Sequence, residues 1–113
     1  MLSACNRLTS AEDFRHTVRR GRRAGGPLMV LHLAVPNVDK AINTQPRVGF
    51  VVAKSVGPAV TRNQVKRRLR HLMRVRLSVL PRGSLLVVRA LPAAATATSG
   101  DLAAELDRCL VRA

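Results

Sequence analysis

Tryptophan and tyrosine are absent from this chain of 113 residues, and phenylalanine occurs only at positions 14 and 50. The core must therefore be assembled from leucine, valine and alanine, within an ordinary apolar fraction of 47%. Phe14 and Phe50 stand out for the same reason: each ring either packs in that core or stacks on an unpaired base beside a basic groove. Acids are scarce too. The six carboxylates, Glu12, Asp13, Asp39, Asp101, Glu105 and Asp107, fall in different elements, which argues against a two-metal carboxylate site. Asp101 and Glu105 read as surface charge balance near a helix start. Cysteine is limited to Cys5 and Cys109, near opposite ends, and His16, His32 and His71 complete no zinc pattern with them. With no secretory leader in view, two free thiols in a reducing compartment are expected. The apolar stretch over residues 27–38 is too short and too interrupted to cross a bilayer. The expected protein is soluble and cytoplasmic, with no membrane contact.

What the chain has in excess is positive charge. Twenty Lys and Arg against six acids give +14, far above the roughly 2 to 8 of a comfortable small domain, so a partner must relieve the repulsion. Seventeen of the twenty are arginine, which favours forked hydrogen bonding to phosphate and stacking on bases. The charge is densest over residues 61–76, TRNQVKRRLRHLMRVR, with seven basic residues and no acid. There Arg62, Lys66, Arg70 and Arg74 recur every four residues, while Val65, Leu69, Leu72 and Met73 keep the spacing of a buried helical face. Like charges at helical spacing destabilise a helix unless something compensates them, and phosphate does so through counterion release and charge-assisted hydrogen bonds. Asn63 either bonds a phosphate or base edge or caps locally. His71 reads as solvated or RNA-facing rather than as a general base, and nothing in the chain supplies a nucleophile.

The order of patterns predicts one small domain over residues 1–113. Ser10, with an acid three residues on, opens a helix carrying Phe14 and Val18 on one face and ending near Gly21, with Arg15 and Arg19 as an exposed pair and Arg20, Arg22 and Arg23 at its last turn. Residues 28–35 form a strand candidate, residues 36–44 a turn, and residues 47–53 a second strand whose two apolar faces predict a central place in the sheet. Period two sends Val48, Phe50 and Val52 to one side and Gly49 and Val51 to the other. The basic helix is expected to run to about residue 79, before Pro81 and Gly83. A strand over 84–90, an alanine-rich connector over 92–98 and a helix capped by Ser99, with Leu102, Leu106 and Leu110 on its packing face, complete the chain. The pattern predicts an α+β layer sandwich.

The segment from Gly49 to Gly57, GFVVAKSVG, followed by AVTRNQVKRRLR ending at Arg70, closely resembles the signature of the bacterial ribonuclease P protein component family. That family carries G-F-x-x-x-K-x-x-G and then R-N-x-x-K-R-x-x-R. Arg7-Leu8, Phe14, Gly21, the strand near Leu28 and Val87-Val88-Arg89 are similar to the family's remaining parts, so nearly the whole chain is covered. The resemblance implies a single-domain α/β sandwich in the order helix-strand-strand-strand-helix-strand-helix, with a left-handed βαβ crossover where the usual rule gives a right-handed one. It implies a subunit of ribonuclease P whose partners are the catalytic RNA and precursor tRNA, with no obligate protein partner. The enzyme removes the 5′ leader endonucleolytically, and Mg2+ bound mainly by the RNA carries the hydrolysis. The basic-helix contacts would be Arg62, Asn63, Lys66, Arg67, Arg68 and Arg70, with Lys54 close by. The leader cleft would be lined by Phe14, Val18, His32, Phe50 and Val52, with no catalytic or metal-ligating residue on the protein. The family usually has an aromatic where Val18 stands and often one where His32 stands, which implies weaker stacking there or phosphate contacts in its place.

Three other readings compete. A ribosomal or RNA-chaperone protein would bind RNA tightly without promoting cleavage. A DNA-binding protein lacks a helix-turn-helix partner for the basic helix, and a metal-dependent nuclease would cut RNA alone.

Overall fold

The computed structural model describes residues 4–35 and 45–113; the turn expected over residues 36–44, with Asp39, lies outside them. Helix α1 (Ala11–Arg20) starts as its sequence predicts, with the Ser10 hydroxyl accepting the Asp13 N–H at 3.3 Å. Glu12 and Asp13 sit at its positive end and Arg19 and Arg20 at its negative end, complementing the helix dipole. Strands β1 (Arg22–Gly25), β2 (Met29–Ala34) and β3 (Arg47–Val52) follow, then α2 (Ala59–Arg74), β4 (Leu85–Ala90) and α3 (Ser99–Arg112). This is the order the family resemblance implies. Hydropathy misses β1 because Arg22-Arg23-Ala24-Gly25 has no apolar alternation; the arginines expected at a helix end instead begin a charged edge strand.

The sheet runs β1-β2-β4-β3, antiparallel except for the parallel β3/β4 pair that α2 connects. Thus β3 lies at an edge, not in the centre. Both its faces are apolar for another reason: Val48 and Val52 enter the main core, while Gly49 lies under the Phe14 ring. Part of its outer edge is covered by the amino-terminal segment, where Arg7 bridges Val48 and the Leu8 N–H reaches the Val48 carbonyl at 3.0 Å.

The two faces of the sheet are filled differently. On one, Met29, Leu31, Leu33, Val48, Val52, Leu86 and Val88 meet Val65, Leu69 and Met73 of α2 and Leu102, Leu106 and Cys109 of α3. Burying each large aliphatic side chain there contributes about 1.5–3 kcal/mol. On the other, α1 crosses β2 and β4.

Helix α2 stops at Arg74, and Leu77–Val79 forms a separate 3-10 turn instead of extending the helix. At the break, Arg76 folds back, donating to the Leu72 carbonyl at 2.8 Å and to Asp107 at 2.6 and 3.2 Å. The cap of α3 is Thr98, one residue before the expected Ser99, in a reciprocal box with Asp101. Glu105 is not a surface residue: it is 1% exposed. Its Oε2 accepts the N–H groups of Leu28 and Met29 at 2.7 and 2.8 Å, and Arg112 donates to the Gly25 carbonyl at 3.0 Å. Helix α3 thereby grips both ends of the β1–β2 turn.

Candidate nucleic-acid interface

The path from β3 into α2 is set by one residue. Gly57 has φ of 154°, a conformation open to glycine alone, and it turns the chain so that α2 begins after Pro58. The first turn of α2 contains no acid, so its positive end is not neutralised locally. Lys54 stands exposed on the intervening 3-10 turn.

With Val65, Leu69 and Met73 buried, the period of the helix turns Asn63, Lys66, Arg67 and Arg70 outward. These four line one concavity of about 310 Å³. All are donors at physiological pH, apart from the amide oxygen of Asn63, and among the described residues none of the four has an ion pair with a carboxylate. Asn63 is exposed and lies inside the helix, so it is no cap. The other two predicted contacts are tied back to the protein. The Arg62 Nε donates to the Gly57 carbonyl at 3.1 Å and fixes the turn it follows. The Arg68 Nη1 reaches the Ala97 carbonyl at 3.3 Å, anchoring α2 to the connector before α3. Beyond them, Arg76 is taken by Asp107, whose carboxyl is held below its ordinary range chiefly by the Arg76 hydrogen bond, with desolvation opposing it and the Arg76 charge adding to it.

The five predicted cleft residues divide between the two faces. Phe14 covers Gly49 so closely that a Cβ there would fall within the ring, and Val18, on the same helix, is 44% exposed. His32 lies two strands away on the same face, in register with Val87 and Gly49. Phe50 and Val52 point the other way, toward the core beneath α2. The correction follows from period two: if Gly49 faces α1, Phe50 and Val52 cannot. Residues that do share the α1 face include Val51, Val30, Val87, Arg23 and Arg89. The Gly49/Val51 alternation pointed to Val51, but the cross-strand register that brings in the others has no local signal.

His32 is 7% exposed, and its Nδ1 is buried without a hydrogen-bond partner. Burial, then the charges of Arg23 and Arg89, push its pKa below the ordinary value. On the outer side of α1, Arg15, His16, Arg19 and Arg20 surround a shallow depression with Glu12. A larger apolar groove of about 610 Å³, lined in part by Leu33, Val35, Leu80 and Val111, contains no predicted site residue. Among the described residues no three His, Cys, Asp or Glu side chains gather to hold a metal, and the carboxylates of Glu105 and Asp107 are already engaged. No helix among the described residues is long and apolar enough to cross a membrane.

A family model described as Ribonuclease P matches residues 2–113. The ribonuclease P protein component of Nocardioides sp. is 56% identical over 113 residues, covering 99% of this chain and 94% of the relative. That of Streptomyces griseus is 55% identical over 116 residues, with the same coverage. Among solved structures, the Staphylococcus aureus RNase P protein superposes with a TM-score of 0.81 at 24% identity, covering 95% of this chain and 94% of that one. The Thermotoga maritima RNase P protein, in complex with 1-(4-fluorophenyl)-2-thiourea, gives 0.80 at 23% identity, covering 95% and 99%. At such identities the structural likeness speaks for the fold.

Proposed function

The chain belongs to the bacterial ribonuclease P protein component family, and from that premise we propose how its surfaces divide the work of the ribonucleoprotein. Residues 1–113 act as one RNA-binding domain in the cytoplasm. The outward face of α2, with Asn63, Lys66, Arg67, Arg70 and nearby Lys54, docks on the phosphate backbone of the catalytic RNA. The α1 face of the sheet, with Phe14, Val18 and His32, receives the single-stranded 5′ leader of precursor tRNA. Hydrolysis, with its magnesium ions, stays with the RNA.

The observation that carries this reading is the group of four adjacent α2 side chains directed outward without a carboxylate partner among the described residues. Such a surface gains by displacing counterions from a folded polyanion. The leader cleft adds contacts that only the precursor can make, so the mature product is released by a difference in binding energy.

The test is reconstitution with a bacterial ribonuclease P RNA at low magnesium, on precursors with long and minimal leaders. Added protein should stimulate cleavage and favour the long leader by roughly tenfold, equivalent to about 1.4 kcal/mol. The protein alone should cut neither precursor. Absence of both stimulation and leader preference would overturn the reading.

A further inference from the structure

Where the α1 face meets solvent, the sheet carries cations rather than rings. Arg23 stands directly opposite His32 across the β1/β2 pair. Arg89 pairs with Val30, diagonally beside His32 at about 7–8 Å, within reach of long side chains. Both arginines are exposed, and no carboxylate pairs with either among the described residues. The Nδ1 of His32 is buried without a partner, which leaves Nε2 as the nitrogen available to a ligand. A second proton would place an unpaired N–H in the interior and a third positive charge beside two guanidinium groups, so the neutral ring with its proton on Nε2 is favoured.

Arg23, Arg89 and the neutral His32 ring through Nε2 are thus all donors. A base edge presents donors and acceptors together, whereas a phosphate presents acceptors alone. We propose that Arg23, His32 and Arg89 form a phosphate-binding subsite that holds one backbone phosphate of the precursor's leader, beside the apolar wall of Val18, Val30 and Val51. The subsite rests on the leader-binding reading and gives it a chemistry: this cleft grips the leader through its charge where an aromatic floor would stack on its bases. Recognition at this point is then indifferent to leader sequence.

The experiment uses the reconstituted holoenzyme and precursors carrying a single uncharged methylphosphonate linkage, moved one position at a time along the leader. At one position the neutral linkage should weaken binding by roughly tenfold, as expected for loss of a charge-assisted contact. The double variant Arg23→Ala/Arg89→Ala should lose a similar factor on the unmodified precursor, leave mature tRNA binding unchanged, and be insensitive to the neutral linkage at that position. His32→Leu fills the same space without the donor and should lower leader discrimination by about threefold. Non-coupling, in which the neutral linkage harms the double variant as much as the wild type, overturns the subsite. So does a wild type that tolerates the neutral linkage everywhere while still preferring the long leader, and in both cases leader binding itself survives. A wild type with no leader preference removes the underlying reading instead.

Discussion

The two faces of the sheet share the same four strands and are covered very differently. On one, α2 and α3 close over a continuous aliphatic core. On the outer side of α2, Lys66, Arg67 and Arg70 line one concavity together with the neutral Asn63, while Arg62 and Arg68 are turned back onto the protein. On the other, a ten-residue α1 crosses the strands, and its margins carry half-buried Phe14 and Val51 and exposed Val18, Arg23 and Arg89. The aliphatic core is buried where coverage is complete, and the proposed leader surface lies where it is not. Under the proposed function, this arrangement would let one small chain hold a folded RNA and a flexible one without either competing for the other's contacts.

The largest expected effect comes from the covered side. If the proposed docking holds, replacing Lys66, Arg67 and Arg70 together with alanine would remove three phosphate contacts at about 1 kcal/mol each, so affinity for the catalytic RNA should fall by roughly 100-fold. The slope of log affinity against log salt should flatten by about 0.7–0.9 per residue. Filter binding over a salt series measures both. The ratio of precursor to mature tRNA affinity, measured with saturating variant, should stay where it was. If that ratio collapses with the RNA affinity, the two faces do not act separately.

A smaller effect probes what holds the faces in place. In Glu105→Gln, an amide replaces a carboxylate that accepts two backbone N–H groups, which should reduce stability by about 1–3 kcal/mol. The melting temperature should fall by about 4–8 °C for each kcal/mol at this size. RNA affinity of the folded variant should be unchanged, since Glu105 lies under the β1–β2 turn and not at α2. A variant as stable as the wild type would show that this grip contributes nothing.

The sequence made the helices and the motif legible because their signals are local. The periods of α1 and α2, the Ser10 cap and the turn at Gly57 between β3 and α2 are all written within a few residues of where they act. Other features depend on partners far along the chain. Strand β1 exists because β2 pairs with it, and β3 is an edge because β4 lies between it and β2. Phe50 and Val52 belong to the core because Gly49, their neighbour, is the residue that admits Phe14. Glu105 was half legible: Leu102, Leu106 and Cys109 place it on the buried stripe of α3, yet no local rule supplies the two N–H groups that make a carboxylate tolerable there.

The smallest effect gives the sharpest contrast, between adjacent residues of α2. Arg67 and Arg68 are chemically identical, and both belong to the predicted RNA contacts. Arg67 faces the outward concavity, whereas Arg68 is half-buried and donates to the Ala97 carbonyl at 3.3 Å. An arginine's long stem lets tertiary surroundings decide where its charge goes, so substitution should separate them. Arg67→Ala should weaken catalytic-RNA binding about fivefold and leave urea denaturation unchanged. Arg68→Ala should do the reverse, lowering stability by about 1 kcal/mol with little change in the salt slope of RNA binding. Should the two variants prove indistinguishable in both assays, the Ala97 contact does not govern Arg68, and the cationic surface extends around α2 toward the connector before α3.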